Sequence, residues 1–368
     1  MEQWTFTAVD SWFFRESRPM EAVGASRLDS VFPPPANTVI GAIRHCIGEA
    51  HQVDWREYAS GPHALHQVMG TPADLGPLSF DGPYLLHNDK QRLYPMPQSL
   101  LWTADRQHST RLLPGAMPVE CDLGRVRLPQ KHTPLAGASA KPDTWLTEQG
   151  LCAFLRGEPV LPDDMVQPNS LFVSEERLGI ARDNARRVAD DGLLYQTKHI
   201  RPQPGCAIAM NVGGLNDSRL AQTGLCRLGA EGRLAGWQRN SALTLPDISS
   251  PAQKNGLMLM LLTPALFTQG WVPDGLQETE QDGCRVWQGV LHGVALTLVC
   301  AALGKPRREG GWDLVNKKPR DLYSFIPAGC VFFCEVQGNL EAAQRALHGK
   351  QIGLEHAWGR GKIAAGFY

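Results

Sequence analysis

The chain has 368 residues, 43% of them hydrophobic and 20% charged, and its 36 basic against 37 acidic side chains leave a formal net charge of −1. Its length exceeds the roughly 250–300 residues at which single hydrophobic cores stop growing, so two domains are expected, and the apolar content excludes a disordered chain. Balanced charge excludes a protein that coats nucleic acid by bulk electrostatics; any polyanion site must be local.

The opening WTFTAVDSWFF (4–14) carries aromatic and β-branched residues suited to a strand, and the following stretch to Pro35 reads as a long loop stiffened at its end by Pro33, Pro34 and Pro35. ANTVIGAIRHCIGEA (36–50) places Val39, Ile40, Ile43 and Ile47 at helical spacing, with Asn37 or Thr38 as N-cap. Residues 60–170 are dense in Pro and Gly with short apolar bursts, a pattern of loops and short strands from which no function can be read. Strand-like runs resume over 171–245.

SALTLPDISSPAQKNG (241–256) is the linker candidate, which gives an N-terminal domain over 1–245 and a C-terminal domain over 256–368. The second half offers strands in LMLMLLTPALF (257–267), VLHGVALTLVCAAL (290–303) and CVFFCEVQG (330–338). A helix follows over 339–352, with Asn339 as N-cap and Leu340, Ala343 and Leu347 on one face, and then a last strand. This order suits an α+β ferredoxin-like unit, with the first half as a second copy carrying large insertions.

Nine widely spread cysteines with no C-x-x-C pair predict buried free thiols in a reducing cytosol, not disulfides or a structural zinc. The N-terminus has no charged leader before an apolar run, and the most apolar stretches fall short of the roughly 20 residues a bilayer needs. A soluble, cytoplasmic protein without membrane contact is the expectation.

Metal and cofactor chemistry have little to stand on. His63 and His66 lie three apart without a third ligand nearby, and Asp163–Asp164 and Asp190–Asp191 sit in turn-like contexts. No P-loop, G-x-S-x-G or H-E-x-x-H pattern occurs. The one catalytic candidate is His45, as general base in metal-independent RNA cleavage. Phosphate-binding features stand out more. Arg177, Arg182, Arg186, Arg187, Lys198 and Arg201 gather within 176–201; Lys305, Arg307, Arg308, Lys317, Lys318 and Arg320 gather within 305–320, where either RNA or an acidic protein surface fits. In the closing GLEHAWGRGKIAAGFY, glycines bring main-chain N–H groups within reach of a phosphate, and Arg360 and Lys362 beside Gly359 and Gly361 add positive charge.

Seven stretches then fall into a known order: DSWFFRESRPM (10–20), FPPPANTVIGAIR (32–44), GIARDNARRVADDGLLY (179–195), LGAEGRLAGW (228–237), LLTPALFTQGWVP (261–273), GGWDLVNKKPRDLYSFIPAGCVFF (310–333) and GLEHAWGRGKIAAG (353–366). With them the chain resembles the RAMP superfamily of CRISPR proteins, and within it the family of third subunits of type III-B (Cmr) RNA-guided effector complexes. The resemblance implies two ferredoxin-like (RRM-like) domains and a non-catalytic role. It implies a grip on the 5′ repeat-derived tag of the guide RNA, docking against the large polymerase-like signalling subunit and neighbouring RAMP subunits, and only indirect contact with target RNA. The implied RNA-binding residues are Asn37, Thr38, Arg44, Arg177, Arg182, Arg186, Arg187, Lys198, Arg201, Arg233, Gly359, Arg360, Gly361 and Lys362. Neither a catalytic residue, a metal nor a cofactor is implied. Ala230 stands where the resemblance leads one to expect a second glycine.

Overall fold

Bulky residues at the start of the chain form β1 (Glu2–Ala8), which lies inside an antiparallel sheet between two partners. The structure, a computed structural model, describes residues 1–16, 26–183, 185–186, 188–251, 254–313 and 318–368. The chain divides into two units, the first made of 1–90, 168–242 and 308–323 and the second of 91–167, 243–307 and 324–368. The Pro/Gly-rich middle of the chain thus groups mainly with the second half.

In the first unit β1 is followed by α1 (Ala36–Ala50), β2 (Ser79–His87), β3 (Phe172–Asp183), β4 (Val188–Pro202), β5 (Ala207–Gly213), β6 (Thr223–Arg227) and β7 (Leu234–Ser241). In space the sheet runs β6–β7–β1–β5–β2, each neighbour antiparallel. Trp4 stands between Met210 and Arg239 on the flanking strands and stacks on Trp237 at 4.7 Å. The apolar stripe Val39, Ile40, Ile43 and Ile47 of α1 is buried as its spacing predicts. The start of the helix differs from expectation. Pro35 holds the cap position, no side chain accepts a bond from the first turn, and no acidic residue lies there. Asn37 and Thr38 fall inside the first turn, because the rigid φ of proline at −58° already sets the entry of the chain. Strands β3 and β4 pair as a long hairpin in a separate sheet, where β4 also runs parallel to Ser26–Leu28.

The second unit contains α2 (Glu148–Leu155), β8 (Leu257–Leu261), β9 (Leu276–Gln281), β10 (Cys284–Leu291), β11 (Val294–Ala302), β12 (Val331–Val336), α3 (Leu340–Leu347) and β13 (Ile363–Phe367). Its sheet runs β9–β10–β11–β12–β8–β13, again antiparallel throughout. All five residues of β8 are buried, which explains its unbroken apolar run: both faces of the strand are covered. Ala343 and Leu347 of α3 join Phe332, Ile363, Ala365 and Phe367 in one core, and the Asn339 side chain caps α3 by accepting from the Ala342 N–H at 2.9 Å.

The opposite face of β13 meets α2, a helix that the sequence does not announce. Any Cβ on Gly366 would stand 2.5 Å from the Leu155 carbonyl oxygen, so glycine there admits the helix. Thr147 caps α2 at its start, and Arg111 closes its end by donating to the Phe154 and Ala153 carbonyls at 2.8 and 3.3 Å while lying 4.8 Å over the Phe154 ring.

All nine cysteines are free; seven are buried, Cys152 is half-buried and Cys121 exposed. No helix among the described residues is long and apolar enough to cross a membrane. Of the linker stretch 241–256, Ser241 ends β7, the described residues from 242 on have no regular secondary structure, and 252–253 lie outside the described residues.

Candidate nucleic-acid interface

Strand alternation puts Glu175 and Arg177 of β3 and Thr197, His199 and Arg201 of β4 on one face of the hairpin. At its base this face meets Asp10. Arg177 Nη2 donates to Asp10 Oδ2 at 2.9 Å, Arg201 Nη1 lies 3.0 Å from Oδ1, and Arg233 Nη1 reaches Oδ2 at 3.4 Å. Arg177 Nε also donates to Glu175 Oε1 at 2.6 Å, Arg201 Nε donates to Glu175 Oε2, and Arg233 Nη2 lies 3.5 Å from Glu231 Oε2. The Arg177 bond is the main reason the Asp10 carboxyl is held below the usual carboxylate range, and the Arg201 bond does the same for Glu175.

Behind this cluster His199 is fully buried, its ring stacked on Phe13 at 4.9 Å, with Ser11 Oγ 3.3 Å from Nδ1 and Thr197 Oγ1 and Glu231 Oε2 at 3.1 and 3.2 Å from Nε2. Burial lowers its pKa, so the imidazole is held neutral. The turn carrying Glu231 and Arg233 is tied to the same place: the Ala230 N–H donates to the Phe13 carbonyl at 2.7 Å. Ala230 is not among the residues with positive φ, whereas Gly229 and Gly232 are, so the missing second glycine leaves the turn intact.

The arginines expected as free cations for phosphates are therefore not free. Arg177, Arg201 and Arg233 face three carboxylates: Glu175 is a neighbour of Arg177 on β3, while Asp10 and Glu231 arrive from segments far away in sequence, which a count of cations along one stretch does not register. Lys198 lies on the other face of β4, opposite Glu176 in register. Arg186 is exposed near the hairpin tip, Arg182 lies in β3 opposite Ala189, and Arg187 is outside the described residues.

Along α1, Asn37 and Thr38 are half-buried at the helix start. Arg44 is tethered inward, its Nη2 donating to Tyr58 Oη at 2.7 Å and to the Thr71 carbonyl at 2.5 Å. His45 has a side chain 44% exposed, stacks on Trp55 at 5.5 Å and lies 3.9 Å from Glu49 Oε1. His63 and His66 engage nearby main chain, and no group of three potential metal ligands occurs among the described residues.

The C-terminal loop also departs from expectation. The N–H groups of Gly359, Gly361 and Lys362 are already donated, to His356 O, Pro264 O and Thr263 Oγ1 at 3.0, 2.9 and 3.0 Å. Gly361 has φ +68° and any Cβ there would lie 1.9 Å from the Ile352 carbonyl oxygen, so this glycine serves close main-chain packing. Arg360 is 1% exposed, with its guanidinium 4.2 Å over the Phe325 ring. It is a core cation, not one presented to solvent. Lys362 is half-buried. In the 305–320 stretch Lys305, Arg308, Lys318 and Arg320 are exposed and Arg307 half-buried, while Lys317 lies outside the described residues.

A family model described as CRISPR-associated protein (Cas_Cmr3) matches residues 4–367. Among solved structures, a chain from the type III-B Cmr-beta bound to cognate target RNA and AMPPnP aligns with a TM-score of 0.50 at 12% identity, over 90% of this chain and 86% of that one. A chain of the Csm3–Csm4 subcomplex of the type III-A CRISPR-Cas interference complex aligns with a TM-score of 0.43 at 10% identity, over 92% of this chain and 94% of that one. At such identities likeness speaks for fold alone, and only the first is close enough to support it. No curated protein matches the chain.

Proposed function

The chain belongs to the Cas_Cmr3 family of CRISPR-associated proteins, and from that premise we propose that it is the non-catalytic subunit of a type III-B effector complex that holds the 5′ tag of the guide RNA and docks the large signalling subunit. On this reading it works in the cytoplasm and meets target RNA only through its partners. The two units are ferredoxin-like halves. Supporting this, four strands in each follow the spatial order fourth, first, third, second: β7–β1–β5–β2 in one and β13–β8–β12–β11 in the other.

The observation that carries the RNA part is the start of α1. Among the described residues, the other helices of eight or more residues, α2 and α3, each have a side-chain cap and an acidic residue in the first turn, Thr147 with Glu148 and Asn339 with Glu341. By contrast, α1 has neither. The Thr38 N–H is donated to the Pro35 carbonyl at 3.0 Å, which leaves the N–H groups of Ala36 and Asn37 and the positive end of the dipole to suit a phosphate of the tag.

Placing a carboxylate there separates binding from folding. Thr38→Asp leaves helix stability unchanged or raised within about 1 kcal/mol, because an acid in the first turn favours the helix, yet it repels a phosphate. Retention of guide RNA with an intact 5′ tag is expected to fall while a guide lacking the tag binds as before. Equal retention of the tagged guide by Thr38→Asp and the unmodified chain rejects this assignment.

A further inference from the structure

Three guanidinium groups converge on one carboxylate that is itself half exposed. Arg177, Arg201 and Arg233 reach Asp10 at 2.9, 3.0 and 3.4 Å, and the Asp10 side chain is 48% exposed. Guanidinium forks recognise carboxylate and phosphate oxygens by the same paired N–H geometry, so a carboxylate ringed by arginines occupies a place that a phosphate fits.

The ring does not need Asp10 to stay in place. Glu175 binds both Arg177 and Arg201, and Glu231 binds Arg233. The Arg233 Nε–H is buried and meets no acceptor among the described residues. With Asp10 turned away, three cations face two carboxylates and the pocket carries one positive charge in excess. The main chain on either side of Asp10 is pinned, Val9 N–H to the Leu234 carbonyl at 3.1 Å and Trp12 N–H to the Ile200 carbonyl at 2.8 Å. With the main chain held, it is rotation of the half-exposed Asp10 side chain that would empty the ring.

We propose that Asp10 is a resident stand-in for phosphate, and that the Arg177, Arg201 and Arg233 ring accepts a backbone phosphate of RNA once the Asp10 carboxylate swings into solvent. The identity of the polyanion as RNA rests on the function proposed above; the ring itself does not. A built-in competitor of this kind keeps stray phosphate out and admits a strand already anchored elsewhere, for which the last contact is effectively intramolecular. A purely structural tie between Asp10 and the hairpin predicts the opposite response to its removal.

The test uses the full chain and its Asp10→Asn, Asp10→Ser, Arg233→Gln and Asp10→Asn/Arg233→Gln variants, with two probes: tagged guide RNA and inorganic tripolyphosphate. At low salt the neutral variants are expected to bind both probes about five- to tenfold more tightly than the unmodified chain, and the gain shrinks as salt is raised. Adding Arg233→Gln cancels it. Should Asp10→Asn fail to fold by circular dichroism, Asp10→Ser carries the same expectation. Neutral, folded variants that bind tripolyphosphate no tighter than the unmodified chain overturn the ring, and if guide RNA is still bound equally by all, the RNA reading stands without it. A gain for tripolyphosphate without a gain for RNA keeps the ring and rejects RNA as its ligand.

Discussion

In the first unit the strands β7–β1–β5–β2 keep a helix after the first of them in sequence, α1, whereas in the second β13–β8–β12–β11 keep one after the third, α3. Where the first unit lacks a helix after β5, residues 214–222 lead directly to β6 at the sheet edge; where the second lacks one after β8, the β9–β10 pair extends the sheet at its far side. The strand order survives both exchanges. Ladder pairing and the buried faces of β1 and β8 fix the topology, and a helix is a cover that another element can replace.

If each retained helix is equally necessary, truncating a fully buried side chain in each has the largest effect. Ile43→Ala in α1 and Leu347→Ala in α3, both positions fully buried, are each expected to destabilise the chain by about 2–5 kcal/mol in urea unfolding. A loss confined to one of them breaks the parallel.

Two glycines with nearly the same backbone sharpen it next. Gly361 in the second unit has φ +68° against the Ile352 carbonyl, and Gly232 in the first has φ +64° with open space around it. Gly232→Ala meets only the left-handed backbone penalty of about 1–2 kcal/mol; Gly361→Ala adds a main-chain clash and is expected to lower the melting temperature distinctly further.

Capping gives a smaller contrast. Asn339→Ala removes a cap worth about 1 kcal/mol, while Asn37→Ala, which caps nothing, is expected to stay within about 0.5 kcal/mol. Matching losses would show that the start of α1 is capped after all.

The gentlest probe is pH. His199 in the first unit and His348 in the second are both held below the usual imidazole range, chiefly by burial. An imidazole with a folded pKa below its unfolded value of about 6.5 leaves stability fully present above that pH and removes it as pH falls. The urea midpoint is therefore expected to drop from about pH 7 to pH 5, and His199→Gln and His348→Gln each to flatten part of that fall. A midpoint that holds steady over this range contradicts the burial of two neutral histidines.

Sequence pattern carried the elements whose burial is one-sided or complete: the α1 stripe, the unbroken run of β8 and the Asn339 cap were all legible. Helix α2 was not, since eight residues in a Pro/Gly-rich stretch give barely two turns of periodicity and its end is closed by the distant Arg111. The site was legible only in part. Cations close in sequence are visible as a cluster, and Glu175 stands beside Arg177, but Asp10 and Glu231 are distant in sequence and meet the cations only through β-pairing and the 228–233 turn. The glycines near the C-terminus suggest an approach of main-chain N–H groups to a phosphate, whereas what approaches Gly361 and Gly366 is the chain's own Ile352 and Leu155.

The most direct test of the proposed role is photo-cross-linking of an assembled effector complex whose guide RNA carries 4-thiouridine only in the 5′ tag, read by mass spectrometry. The account predicts cross-linked peptides of this chain from the start of α1, within residues 31–44. Cross-links from the tag that fall entirely on other subunits would contradict it.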